Sequence, residues 1–263
     1  MLARVVERAI PLASQILLAT TSGRRARELA SDLPPGVRPL LDQPALWGNG
    51  PAAAMASARS QLGKVPILFL PGDIPWIETD ALRRFVARAS RGVADVAVPV
   101  WPGGATEHLL QWQRTNGVLG HLPRSRTHPT KRSWRASEFL RAVPRTLLIS
   151  VGTITDRPAT FSHVTFPSDL RRPTARGPSG PQAADRVVEG VPKRHYAAAH
   201  GALARGDGER AARSFAQEGR WYSDATLPLL ARHAMYDSKE CLQIRGRGSR
   251  SGRQRPTTFD RFP

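Results

Sequence analysis

The chain has 263 residues, of which 40% are hydrophobic, and this length and composition favour one or two folded globular domains. It contains no run approaching the roughly 18 apolar residues of a transmembrane helix, no signal-peptide pattern at its start and a single cysteine, Cys241. We therefore expect a cytoplasmic protein with no membrane partner, no internal disulfide and no cysteine-based zinc site. Lys and Arg number 39 against 21 Asp and Glu, and the net charge of +18 is explained equally by an anionic partner and by an arginine-rich genome.

The first half of the chain alternates patterns of helix and strand. The predicted elements are, in order, helix 1–13, strand 15–20, helix 21–33, a strand within 34–42, a helix within 48–62, strand 66–73, helix 77–90, and strands 93–101 and 105–114. Either Thr21 or Ser22 is expected to cap the second helix, because a side-chain oxygen there can accept from a free backbone amide.

The second half is more basic and less regular. Seven Lys or Arg side chains and one Glu lie between 121 and 145, and a strand is predicted over 145–154. The rest is predicted as a Pro/Gly/Ser linker (173–182), two or three short helices (183–243) and a disordered Arg-rich tail (244–263). Arg205–Gly208 is predicted to end one helix and begin the next.

The alternation of strands with helices of 10–15 residues predicts an α/β fold. We expect a Rossmann-like, mainly parallel sheet with flanking helices, together with a small C-terminal helical region and a disordered basic tail. Ligands of such sheets bind outside the carboxyl ends of the strands. Asp73 follows the apolar run ILFLPG, so the strand delivers this carboxylate to the edge where a site is expected.

Four segments occur in an order that resembles a known family. They are GNGPAAAMASA, LFLPGDIPWIETDAL, ADVAVPV and HVTFPSDL, and they resemble the core of the molybdenum cofactor guanylyltransferase (MobA-like) nucleotidyltransferases. The resemblance covers roughly residues 1–172, with the PGDIP turn as its most specific part. It implies a nucleotidyltransferase domain over 1–172 that transfers a nucleoside monophosphate, GMP from GTP as first choice, to a phosphorylated acceptor such as molybdopterin.

The resemblance implies that Asp73 is the catalytic residue and that its carboxylate holds Mg²⁺. Magnesium prefers hard oxygen ligands and often takes one or two protein carboxylates, with water and phosphate completing its octahedron. A carboxylate fixed between Gly72 and Pro75 can hold such an ion while phosphate groups react. The alternative is a residue that ends a strand or caps the helix after it.

The resemblance also implies a nucleotide-binding role for four residues before and within the glycine turn. Asp42 corresponds to an acid near the guanine base and ribose, and Gly48, Gly50 and Pro51 let the backbone approach the nucleotide. Each has a structural alternative: a turn residue for Asp42, and a helix-start turn for the other three.

The chain departs from the family at two places. Family members open with a strand and a Gly-rich loop that cradles the triphosphate, and nothing of this kind precedes Met1. We expect either a coding frame that extends about 25 residues further upstream or a catalytically impaired chain. In the late motif His163 and Thr165 replace an Asn-x-Asn, and His163 is expected to be a structural, partly buried histidine.

Acceptor binding is assigned to Arg132 and Arg135, which share a face if the segment is helical. A solvated basic face explains them equally well. Two further classes of function stay open: nucleic-acid binding through the Arg-rich tail, and a non-catalytic protein whose C-terminal helices dock a partner.

Overall fold

The computed structural model of the chain describes residues 1–44, 50–115, 117–122, 135–164, 169 and 184–248. Its strands are Ile16–Thr20 (β1), Val37–Leu41 (β2), Ile67–Phe69 (β3), Val96–Val100 (β4), Gln111–Gln113 (β5), Thr146–Ser150 (β6) and Arg186–Val188 (β7). Its helices are Leu2–Ala9 (α1), Gly23–Ala30 (α2), Gly50–Leu62 (α3), Thr79–Arg91 (α4), Gly117–His121 (α5), Ser137–Ala142 (α6), Val151–Ile154 (α7), Val191–Ala204 (α8), Gly208–Asp224 (α9) and Pro228–Gly248 (α10).

The strands form two sheets. β1 and β2 pair in parallel, and the other five strands are ordered β3-β5-β4-β6-β7. β5 is antiparallel to both β3 and β4, and β4 is parallel to β6, so β3, β4 and β6 all point the same way. The predicted α/β fold is confirmed. The carboxyl ends of β3, β4 and β6 therefore lie along the same side of the larger sheet, next to the amino end of β5. We call this side the carboxyl edge of the sheet.

The larger sheet is covered on both faces because its central strand alternates between two hydrophobic clusters. In β4, Val96 and Val98 belong to one cluster and Ala97 to the other, and all three are 0% exposed. The first cluster also contains Tyr222 of α9 and Leu230 of α10. The C-terminal helices therefore pack onto the α/β part, as their apolar residues require.

Local capping chemistry explains several helix boundaries. The Ser22 hydroxyl accepts from the Arg25 amide at 3.2 Å, which confirms the predicted cap of α2. The strand predicted over 145–154 is wrong after Ser150, because α7 begins at Val151. The Ser150 amide donates to Asp185 at 2.8 Å, so a carboxylate at this helix start favours the turn.

A buried ionic network joins α6 to the C-terminal helices. The guanidinium of Arg141 is fully buried and donates to Glu218 at 2.8 and 2.7 Å, to Asp237 at 2.6 Å and to Glu138 at 3.2 Å. Arg135 adds a second pairing with Asp237 at 2.9 Å.

Candidate active site at Asp73

Asp73 lies in a turn beyond the carboxyl end of β3, and backbone contacts fix this turn. The Asp73 carbonyl accepts from the Val164 amide at 2.8 Å, and the Ile77 amide donates to Ile74 at 3.1 Å. Ile74 is 1% exposed and anchors the turn in the core. The Asp73 side chain itself is 43% exposed, so the carboxylate is held at the surface by a rigid backbone.

The imidazole of His163 lies between two carboxylates. Its Nδ1 is 3.2 Å from Asp73 Oδ1, and its Nε2 is 3.1 Å from Glu107 Oε2. The contact between His163 and Asp73 is a close ion pair. His163 is half-buried, as expected, but it also contacts Asp73, the predicted catalytic residue.

Electrostatic interactions within the charged triad of Asp73, His163 and Glu107 shift the pKa values of His163 and Asp73. Interactions with Asp73 first and Glu107 second raise the pKa of His163 to about 10, against the opposing effect of burial. The contact with His163 lowers the pKa of Asp73. At neutral pH the site thus consists of an imidazolium held between two carboxylates.

Glu107 reaches the site because β4 and β5 form a hairpin. The loop from Trp101 to Leu110 returns the chain to the edge at which β3 ends, and the indole of Trp101 donates to Glu107 Oε1 at 2.5 Å. Sequence reasoning placed Glu107 inside a strand over 105–114 and missed this role. The pair Gly103–Gly104 is a turn signal that could have located the hairpin.

The fit of Mg²⁺ to these residues is limited to one carboxylate, Asp73. Among the described residues no three His, Cys, Asp or Glu side chains are grouped closely enough to hold a metal ion. Asp73 has an exposed carboxylate on a rigid turn, which suits an ion that takes its other ligands from water and phosphate. The donor chemistry therefore fits magnesium brought in with a nucleotide.

Asp42 adjoins the smaller sheet, and Gly50 and Pro51 belong to α3, which lies beside that sheet. Asp42 directly follows β2, its amide donates to the Thr20 carbonyl at 3.0 Å, and burial raises the pKa of its carboxyl group. Gly50 begins α3 with φ 53°, a left-handed conformation that suits glycine, and Pro51 is exposed in the first turn. Gly48 lies outside the described residues.

Arg135 is held by residues of α10. It pairs with Asp237 at 2.9 Å, and its guanidinium lies 4.7 Å from the ring centre of Tyr236. Arg132 lies outside the described residues. The loop that carries Glu107 also approaches α10, since the ring centres of His108 and His233 are 6.3 Å apart.

A cleft of about 410 Å³ opens at the amino end of α4. Charged residues of both signs line this cleft, among them Arg8, Glu78, Arg84 and Asp156. Neither Asp73 nor His163 belongs to its lining, so we place the candidate site at the sheet edge instead.

The fold, with parallel-rich sheets and flanking helices, is consistent with a Rossmann-like nucleotidyltransferase domain. The chain matches the family model described as MobA-like NTP transferase domain over residues 1–159, which is more than half of its length. It therefore belongs to the MobA-like NTP transferase family, and its domain is a nucleotidyltransferase domain that acts on nucleoside triphosphates. Among curated proteins none matches the sequence. Within the described part of the chain, no helix has the length and apolar character needed to cross a membrane.

Proposed function

We propose that the protein transfers GMP from GTP to a phosphorylated acceptor, with molybdopterin as the first candidate, and that Asp73 is its catalytic, metal-holding carboxylate. The family match supports nucleotidyl transfer, and the resemblance of the PGDIP turn to the guanylyltransferases favours guanosine. The observation that carries the assignment is the rigid turn that presents an ionised Asp73 at the carboxyl edge of β3.

The reaction requires one bond to form and one to break. An oxygen of the acceptor phosphate attacks the α-phosphorus of the nucleotide, and pyrophosphate leaves with the bridging oxygen and its electron pair. Magnesium, when bound, neutralises the charge on the phosphate oxygens. Asp73 would hold that ion, and the buried Ile74 next to it anchors the turn that carries the carboxylate.

The remaining predicted residues divide between the two substrates. Asp42 would accept from the guanine edge or a ribose hydroxyl, while Gly48, Gly50 and Pro51 let the backbone approach the nucleotide. Arg132 and Arg135 would bind the acceptor phosphate, since guanidinium groups suit phosphate oxygens. The contacts with Asp237 and Tyr236 preorganise Arg135 for this task.

Transfer of label from α-labelled GTP to molybdopterin, with release of pyrophosphate, tests the proposal. Asp73→Asn keeps the shape of the side chain and removes its charge, so turnover should fall at least a hundredfold. Asp80→Asn is the matched control: Asp80 is exposed, follows seven residues later and pairs with the exposed Arg83. Wild-type protein that releases no pyrophosphate, or equal rates for the two variants, would overturn the assignment of Asp73.

A further inference from the structure

The turn between α9 and α10 packs directly against the β4–β5 loop. Gly104 of this loop is buried, and a Cβ atom placed on it would lie 1.6 Å from the carbonyl oxygen of Thr226. The same atom would lie 3.2 Å from Cδ of Pro228, the first residue of α10. The two backbones are in direct contact here, and any residue other than glycine at position 104 would displace the turn.

The position of Thr226 is fixed by the way α9 ends. The Thr226 amide donates to Ser223 and the Leu227 amide to Tyr222, at 3.0 and 2.8 Å, which is the Schellman arrangement. That arrangement needs a left-handed residue, usually glycine, but here Thr226 adopts φ 55°. The fully buried Leu227 locks the turn into the core and keeps Thr226 in this conformation.

An unbroken series of contacts leads from Gly104 to Asp73. The Gly104 amide donates to the Trp101 carbonyl, and the Trp101 amide to the Ala105 carbonyl, both at 2.8 Å. The Trp101 indole then donates to Glu107, whose other oxygen contacts His163 at 3.1 Å. His163 contacts Asp73 at 3.2 Å.

We propose that the α9–α10 turn positions the β4–β5 loop, and that Glu107 thereby acts as a positioning residue for His163 and Asp73. The loop contains two adjacent glycines and a proline, and such a sequence does not define one conformation by itself. Steric contact with Thr226 selects the conformation in which the indole of Trp101 meets Glu107. The C-terminal helices, which lie outside the segment that matches the family, are thus part of the site. The catalytic consequence rests on the proposed function, whereas the positioning is a property of the protein without substrate.

Gly104→Ala and Gly206→Ala form a matched pair. The two glycines have φ 79° and 78°, so the added methyl group strains both backbones equally. Gly206 follows the end of α8, where its amide donates to Leu203 and the Asp207 amide to Ala202, and nothing lies within 4 Å of the added methyl group there. The indole N–H resonance of Trp101, assigned with Trp101→Phe, and the ring resonances of His163 report on the site in the free protein. We expect both sets to shift in Gly104→Ala and to keep their wild-type positions in Gly206→Ala.

Turnover of GTP provides a second readout. A displaced catalytic group lowers the rate by up to roughly a hundredfold, so kcat should fall about ten- to a hundredfold in Gly104→Ala while KM for GTP changes less than threefold. Glu107→Gln should shift the same resonances, because it removes the charge that His163 faces. If the resonances shift as expected while the wild-type protein shows no turnover, the proposed function fails and the positioning stands.

Amide hydrogen exchange of the wild-type protein covers the case in which Gly104→Ala does not fold. If the turn supports the loop, the amides of Trp101, Gly104 and Leu227 belong to one cooperative unit and open with the same free energy. The proposal is wrong if the loop amides exchange independently of Leu227. It is equally wrong if both alanine variants shift the Trp101 resonance alike, since glycine strain alone would then explain the change.

Discussion

Replacement of Arg141 by Met should strongly destabilise the fold without touching Asp73, His163 or Glu107. Arg141 is fully buried, and its guanidinium is the shared partner of three buried carboxylates, those of Glu138, Glu218 and Asp237. Met fills similar space without charge, so the variant isolates the loss of the cation.

The magnitude follows from the partners that remain. Arg135 still lies 2.9 Å from Asp237 and 4.0 Å from Glu138, so Glu218 is the carboxylate that loses both of its charged hydrogen bonds. Removal of one partner from a buried ion pair costs about 3–5 kcal/mol. Burial raises the pKa of Glu218 to about 7 even though Arg141 opposes this rise. Without Arg141 the pKa rises further, so the carboxylate takes up a proton and the loss stays in the lower part of that range.

Urea unfolding, followed by far-ultraviolet circular dichroism, measures this loss against two controls. Arg83→Met breaks an exposed pair and should cost at most about 1 kcal/mol. The double variant Arg141→Met, Glu218→Met removes the stranded carboxylate and should recover part of the loss, since buried ion pairs replaced by apolar residues often cost little. A loss for Arg141→Met no larger than for Arg83→Met, or a double variant less stable than the single one, would refute the reasoning.

Two further predictions concern His163 and Thr226. The pKa of His163 is about 10 in the folded protein against 6.5 otherwise, so its charge stabilises the fold fully below pH 6.5, and this contribution is lost as the pH rises toward 10. The difference in free energy of unfolding between wild type and His163→Gln should shrink over that interval in urea titrations; a constant difference would argue against the charged triad. The left-handed conformation destabilises a β-branched residue by about 1–2 kcal/mol, and Thr226→Gly removes this strain. Glycine also gives the unfolded chain more conformational freedom, which destabilises the folded protein by about 0.5–1 kcal/mol. The net gain in thermal or urea stability should lie between zero and about 1.5 kcal/mol, and a loss would mean that Thr226 is not strained.

Features governed by neighbouring residues were predictable from the sequence. The cap at Ser22 and the stop at Gly206 depend on a hydroxyl or a missing side chain within a few residues, and both are confirmed. The position of Asp73 at the end of an apolar strand was predictable for the same reason. The α/β fold followed from the alternation of such local patterns.

Features that depend on distant parts of the chain were not predictable. Glu107 joins the site because the hairpin between β4 and β5 returns to the end of β3, and no local pattern states this. Arg141 belonged to a segment that looked like a solvated basic face, since its partners Glu218 and Asp237 follow 77 and 96 residues later. The contact of Thr226 with Gly104 likewise joins two turns that the sequence places far apart.

Calorimetric titration of GTP in the presence of Mg²⁺, with CTP and magnesium-free GTP as controls, tests the central claim most directly. We predict saturable GTP binding that needs magnesium, exceeds that of CTP, is lost in Asp73→Asn and is retained in Asp80→Asn. No nucleotide binding, or binding that Asp73→Asn leaves unchanged, would contradict the assignment of a nucleotidyltransferase site to Asp73. Strongly salt-dependent binding to arbitrary DNA would then make the Arg-rich tail the better guide to function.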